Sequence, residues 1–187
     1  MDRPVKRWGL FGGSFDPPHV GHLMAGALAL SRGDIDRLVV VPCFDHPFGK
    51  AMAPYEERLA MARMAFEPLA RAEVSDIESR LERPSRTLFT LRALAAAHPG
   101  ARWSLVVGAD VPLERAQWHR FDDLIAEADL FVIGRAGRGG GASTPDVPDV
   151  SSTELRRRLA ADEDLCGWLD ARVERHIRSK GLYGVRR

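Results

Sequence analysis

Gly9-Leu10-Phe11-Gly12-Gly13-Ser14-Phe15-Asp16-Pro17-Pro18-His19-Val20-Gly21-His22-Leu23 is the stretch from which the fold is read. An apolar run ends at Phe11, and two glycines, a short loop and two prolines follow. A helix-like apolar pattern then extends from Val20 through Leu30. Strand, glycine loop and helix in that order aim backbone N–H groups and a helix N-terminus at one spot. Such a spot attracts anions, because the first amides of a helix lack internal partners and the helix dipole favours negative charge there. Without Cβ atoms at Gly12 and Gly13, a phosphate or sugar can approach the backbone closely. Pro17 and Pro18 hold the approach extended and suit the start of a helix. His19 and His22 are three apart and share a helix face, with Gly21 leaving the surface between them open. The stretch reads as a cradle for a nucleotide phosphate.

The rest of the composition sets bounds. With 187 residues, 45% hydrophobic and 28% charged, the chain is expected to be one α/β domain over 1–187, with a core of its own. A formal net charge of +1 argues against a general polyanion binder, while leaving room for a local cationic pocket. Two cysteines, Cys43 and Cys166, do not make a disulfide framework. No apolar run approaches the roughly 20 residues that cross a bilayer, and Met1 to Lys6 lack a signal peptide's apolar region. The expectation is a cytoplasmic protein with no membrane or nucleic-acid partner; a homo-oligomer stays open.

Strands are expected at Trp8–Phe11, Leu38–Val41, Trp103–Val107 and Leu130–Ile133, with a weaker one at Val74–Ile77. Helices are expected from His19 to near Gly33, over Tyr55–Phe66, from Pro84-Ser85 to about His98, over Phe121–Glu127, from Ser151 to about Ala160, and over Leu169–Ser179. The segment from Cys43 to Ala53 and the glycine-rich run from Gly134 to Pro148 read as loops. Alternating strands and helices predict a Rossmann-like, doubly wound, mostly parallel sheet with helices on both faces. A ligand then sits beyond the carboxyl ends of the strands, where the strand order reverses.

Val150-Ser151-Ser152-Thr153-Glu154-Leu155-Arg156 places hydroxyls at a helix start, with Glu154 three residues after Ser151 as in a capping box. By itself this is a good N-cap. Arg156 adds a guanidinium within the first turns, a fixed fork suited to phosphate oxygens. A His19–His22 metal pair has no nearby cluster to complete four ligands, since Asp16 is the sole close carboxylate.

Together the two stretches resemble the nucleotidyltransferase superfamily that shares a His-x-Gly-His motif with class I aminoacyl-tRNA synthetases. Gly12 to Leu23 is similar to the signature of bacterial nicotinate-nucleotide adenylyltransferases, and Ser151 to Arg156 to that family's C-terminal motif. The likeness extends through Gly108-Ala109-Asp110, Trp118-His119 and the ending Ile177 to Gly184. It implies an enzyme that moves an adenylyl group from ATP to nicotinate mononucleotide, releasing pyrophosphate. It implies further that Gly12, Gly13, Ser14, Phe15, Gly108 and Asp110 contact adenosine, and that His19 and His22 donate to the triphosphate. Ser152, Thr153 and Arg156 would hold its β- and γ-phosphates, the C-terminal helices (about 151–187) thereby completing the ATP site. Trp118 would stack on the pyridine ring, with Thr87 and His119 at its carboxylate and Arg135 near the nucleotide. Magnesium would ride on the ATP phosphates, as that ion usually does.

Two departures bear on the acceptor. The family's Pro-Pro-His-Lys is His46-Pro47-Phe48-Gly49-Lys50 here, which leaves Lys50 either on the mononucleotide phosphate or solvated. Ser-Tyr-Thr becomes Ser85-Arg86-Thr87, exchanging an aromatic ring for a cation. Nicotinamide mononucleotide or phosphopantetheine as acceptor, and a non-catalytic nucleotide sensor, remain as alternatives. A tRNA synthetase fragment does not fit, because no Lys-Met-Ser-Lys-Ser loop is present.

Overall fold

Uninterrupted apolar runs become the inner strands of a parallel sheet. The computed structural model describes residues 6–32, 34–46, 49, 51–109, 111, 115–134, 146–165 and 167–185. Its strands are β1 (Arg7–Gly13), β2 (Arg37–Pro42), β3 (Ala72–Val74), β4 (Arg102–Gly108) and β5 (Asp129–Ile133), in the spatial order β3-β2-β1-β4-β5. Every described pairing is parallel. Arg37 apart, the residues of β2 are buried throughout, as expected of a strand covered on both faces.

Side chains along each strand alternate between two cores. Phe11, Leu38, Val40 and Val106 join α1 (Val20–Arg32), α2 (Tyr55–Phe66), α5 (Ser152–Ala160) and α6 (Ala171–Lys180) on one face. Leu10, Val39, Val41, Leu105 and Val107 meet α3 (Thr87–Ala97) and α4 (Phe121–Glu127) on the other. The doubly wound expectation is therefore met. The chain runs outward from β1 through β2 to β3, then crosses back to β4 beside β1. Strand order reverses between β1 and β4, and the loops leaving these strands diverge there to open a crevice.

Most expected elements lie within a few residues of their predicted bounds, and Tyr55–Phe66 and Phe121–Glu127 match at both ends. One expectation fails. The strand predicted over Val74–Ile77 ends at Val74, and Ile77–Arg80 is a 3-10 turn. Glu78 explains the break: its carboxylate accepts from Phe44 N–H (2.9 Å) and Thr90 Oγ1 (2.8 Å), pulling the backbone inward away from the sheet edge. No helix among the described residues is long and apolar enough to cross a membrane.

At the start of α5 the capping box is half made. Ser151 Oγ accepts from Glu154 N–H at 3.2 Å, while the Glu154 carboxylate turns to Arg157 and Arg158, both at 2.9 Å. Ser151→Ala is expected to cost about 1 kcal/mol of stability in urea unfolding, the usual size for a lost N-cap. A change within about 0.2 kcal/mol would remove Ser151 as the cap.

Candidate active site

The crevice over the carboxyl ends of β1 and β4 has a volume of about 370 Å³. Gly12, Gly13, Ser14, His19, Gly21 and His22 form one wall, from the end of β1 into α1. Cys43, His46, Glu78, Ser85, Thr87 and Trp118 form the other, from the loop after β2 to the start of α3 and beyond. Gly108, Ile133 and Gly134 close it from β4 and β5, and Pro148 and Val150 bring in the chain entering α5. Both histidines, the glycine loop, Gly108, Thr87 and Trp118 thus share one cavity.

The two imidazoles are held before any ligand arrives. Their ring centroids are 3.8 Å apart, and Phe15 meets the His22 ring edge-on at 5.0 Å. The backbone N–H of His19 donates to His22 Nδ1 at 3.2 Å. A ring nitrogen that accepts carries no hydrogen, so the neutral His22 ring bears its hydrogen on Nε2 and presents a donor. Gly21 is needed for this packing. A Cβ there would lie 3.1 Å from His19 Nδ1 and 3.6 Å from the Pro148 carbonyl oxygen. The surface that the sequence reading left open between the histidines is filled by the His19 ring, with His19 7% exposed.

Two amides expected to face an anion are used within the protein. His19 N–H goes to His22, and Val20 N–H donates to the Trp168 carbonyl at 3.0 Å. Phe15 also departs from expectation. Its ring is fully buried among Phe11, His22 and Phe66, so it supports His22 from beneath and does not line the crevice. His119 is exposed against Phe89, 5.6 Å between ring centroids, and lies outside the crevice wall. Lys50, Asp110 and Arg135 fall outside the described residues.

Arg156 comes to the first loop, although its side chain is not part of the crevice wall. Its Nη1 donates to the Asp16 backbone carbonyl at 2.6 Å and stands 3.6 Å from Asp16 Oδ2; Nη2 donates to Thr153 Oγ1 at 3.2 Å. Ser152 Oγ donates to the Pro17 carbonyl at 3.0 Å. Of the hydroxyls expected on phosphates, that of Ser152 is thus engaged with the loop just before His19 and that of Thr153 with Arg156. A guanidinium has five N–H donors, and these bonds leave others for an incoming oxygen.

Behind the walls lie buried polar residues that the sequence reading missed. Asp16, 2% exposed, accepts at Oδ1 from Tyr183 O–H (2.7 Å) and Ala53 N–H (3.2 Å). Burial, reinforced by that bond to Asp16, pushes the Tyr183 phenol far above its ordinary range. Arg58 is buried under the loops after β1 and β2 and donates to four backbone carbonyls. It follows Glu56 and Glu57, which gives it the look of a solvated helix face. Its spacing to Ala62, Ala65 and Phe66 nevertheless puts it on the buried stripe of α2, and that spacing was the available signal. Among the described residues no three His, Cys, Asp or Glu side chains are grouped to hold a metal ion.

The Cytidylyltransferase-like family model matches residues 10–158. A protein of Anaeromyxobacter dehalogenans named "Probable nicotinate-nucleotide adenylyltransferase" is 45% identical over 177 residues, covering 93% of this chain and 95% of its own. One of the same name from Myxococcus xanthus is 37% identical over 187 residues, covering 99% and 98%. In fold, the chain is similar to the Plasmodium falciparum nicotinic acid mononucleotide adenylyltransferase complexed with NaAD: TM-score 0.82 at 20% identity, covering 97% and 98%. The glycine loop, the paired imidazoles and the switch-point crevice therefore sit in a chain that belongs to the Cytidylyltransferase-like family and, within it, to the nicotinate-nucleotide adenylyltransferases.

Proposed function

We propose that the crevice takes ATP against the wall of Gly12–Ser14, His19 and His22, with nicotinate mononucleotide against the wall of Thr87 and Trp118. Adenylyl transfer between them gives nicotinate adenine dinucleotide and pyrophosphate, a step of NAD biosynthesis. The observation that carries this reading is the His22 ring, fixed through Nδ1 by the His19 amide and lining the same crevice as the glycine loop, Thr87 and Trp118. Curated relatives matching over most of the chain carry the corresponding name.

The chemistry asks for alignment and charge stabilisation. An acceptor phosphate oxygen, already anionic, attacks the α-phosphorus as the bond to the bridging oxygen of the β-phosphate breaks. Pyrophosphate leaves with that electron pair, and no proton has to be removed from the nucleophile. His22 Nε2–H and His19 stabilise charge on the triphosphate oxygens, and Arg156 donates from the α5 side while Asp16 keeps it beside the loop. Ser152 and Thr153 hold Arg156 and the 16–17 loop in place. Thr87 opens α3, whose N-terminus suits the acceptor's carboxylate, and Trp118 offers a face to its ring.

Magnesium is assigned to the substrate, as MgATP. The donor set argues for this: Asp16 Oδ1 is engaged by Tyr183 and Ala53, Glu78 by Phe44 and Thr90, and the other polar groups of the wall among the described residues are imidazoles, hydroxyls, a thiol and backbone amides. Such groups suit phosphate oxygens better than a hard cation.

Cys43 lies in the wall yet is no covalent nucleophile. Burial pushes its thiol up to about 11, so at pH 8 only about one in a thousand is thiolate. Peptide mapping after iodoacetamide treatment is expected to show labelling that rises about tenfold per pH unit up to about pH 10. A plateau below pH 9 would contradict this.

The function is tested by pyrophosphate release from ATP with each mononucleotide: nicotinate mononucleotide should support it, in step with dinucleotide formation. His22→Ala should lower kcat roughly 10²- to 10³-fold with little change in thermal midpoint. Gly12→Ala separates ligand contact from folding. A Cβ built there meets no protein atom within 4 Å, so the midpoint should hold while KM for ATP rises. An unchanged KM would mean that nucleotide does not approach Gly12.

A further inference from the structure

The wall residues are arranged by a side chain that never reaches the crevice. Arg58 is 1% exposed, one turn into α2. Its Nη1 donates both to the Ser14 carbonyl (2.9 Å) and to the Cys43 carbonyl (2.8 Å). Nη2 reaches the Phe44 carbonyl at 3.2 Å and Nε the Ala53 carbonyl at 3.0 Å, and the Tyr55 ring lies beside the guanidinium, 5.6 Å from its centroid. One nitrogen with two hydrogens thus bridges the loop after β1 and the loop after β2. Ser14 belongs to the nucleotide wall. Cys43 belongs to the other, and Phe44 N–H continues through Glu78 to Thr90 in the first turn of α3.

We propose that Arg58 is a positioning residue for the transfer reaction, setting the separation and angle between the ATP wall and the acceptor wall. The proposal rests on the adenylyl-transfer reading above. With no covalent intermediate and no proton transfer to share the work, the rate depends on how well two bound nucleotides line up. A rigid planar fork that satisfies four carbonyls on three segments fixes that alignment. A lysine keeps the charge but offers one tetrahedral nitrogen, which cannot bridge the same set. A purely architectural arginine, by contrast, would weaken folding and both binding sites together.

The test is Arg58→Lys, with kinetics in both substrates, calorimetric binding of ATP and of nicotinate mononucleotide separately, and a thermal midpoint. We expect kcat to fall roughly 10- to 100-fold, as for a misaligned reactant pair. Each KM and each separate Kd should stay within about threefold of wild type. A folded variant with wild-type kcat overturns the proposal, and so does a parallel loss of both affinities with kcat. Should Arg58→Lys be unfolded at the assay temperature, Arg58→Gln, which buries no charge, is measured under the same two criteria. Wild-type enzyme assayed alongside keeps the two ideas apart. No pyrophosphate from wild type with this acceptor sinks the assigned function, whereas full wild-type turnover with an unimpaired variant sinks only the role of Arg58.

Discussion

A carboxylate that is almost wholly withdrawn from water must be hydrogen-bonded, because an unpaired buried charge costs several kcal/mol. Asp16 meets that demand with groups from distant parts of the chain. Ala53 N–H comes from the segment before α2, the Arg156 guanidinium from α5, and Tyr183 O–H from beyond α6. The loop that delivers His19 is therefore clamped on one side by the C-terminal segments, with Ser152 adding a bond to Pro17. Tyr183 takes this position at a left-handed φ of 59°, uncommon for a residue with a side chain, and the phenol–carboxylate bond offsets that cost. Without Asp16, the C-terminal segments would lose the anchor that brings them to the histidines.

That dependence explains which parts of the site were legible. Strands of buried β-branched residues and helices bounded by Pro, Ser and Gly announce themselves locally, so the doubly wound sheet was readable in order. The glycine loop and His-x-Gly-His were readable because their chemistry needs those residue types at that spacing. Asp16, Arg58, Glu78 and Tyr183 were not, since their partners lie 5 to 167 positions away and share no local pattern with them. Arg58 sits among charged neighbours in the sequence, and only its apolar companions one and two turns on give it away. Phe15 misled for a related reason. The family likeness brings it to the nucleotide, but a left-handed turn at φ 47° sends its ring into the core under His22.

Precision at the histidines comes from layered contacts. Phe15 supports the His22 ring, the His19 ring lies over it, and the His19 amide fixes its tautomer. Gly21 makes room for the His19 ring beneath the Pro148 carbonyl. A donor arranged in this way needs little reorganisation when charge develops on a phosphate oxygen, which is where electrostatic catalysis gains most. The same layering accounts for the amides of His19 and Val20 being spent on the protein: they hold in place the segment whose imidazoles line the crevice.

Few formal charges line the described part of the crevice. Among the described residues, and with the histidines neutral, its wall carries one formal charge, the carboxylate of Glu78. Immediately behind the wall, Arg58 and Arg156 offset Glu78 and Asp16, so among the described residues these four charges balance. Both carboxylates are engaged by protein donors, Asp16 through Oδ1 and Glu78 through both oxygens, so each is turned toward the scaffold and away from an incoming phosphate. Besides the Arg156 guanidinium behind it, what the described wall offers a ligand is oriented dipoles at short range. Imidazole N–H groups, hydroxyls and backbone amides act within about 3 Å and lose their effect when displaced by an ångström. Groups of that kind act by position, which is why the rigid buried supports behind the wall matter as much as the groups that line it.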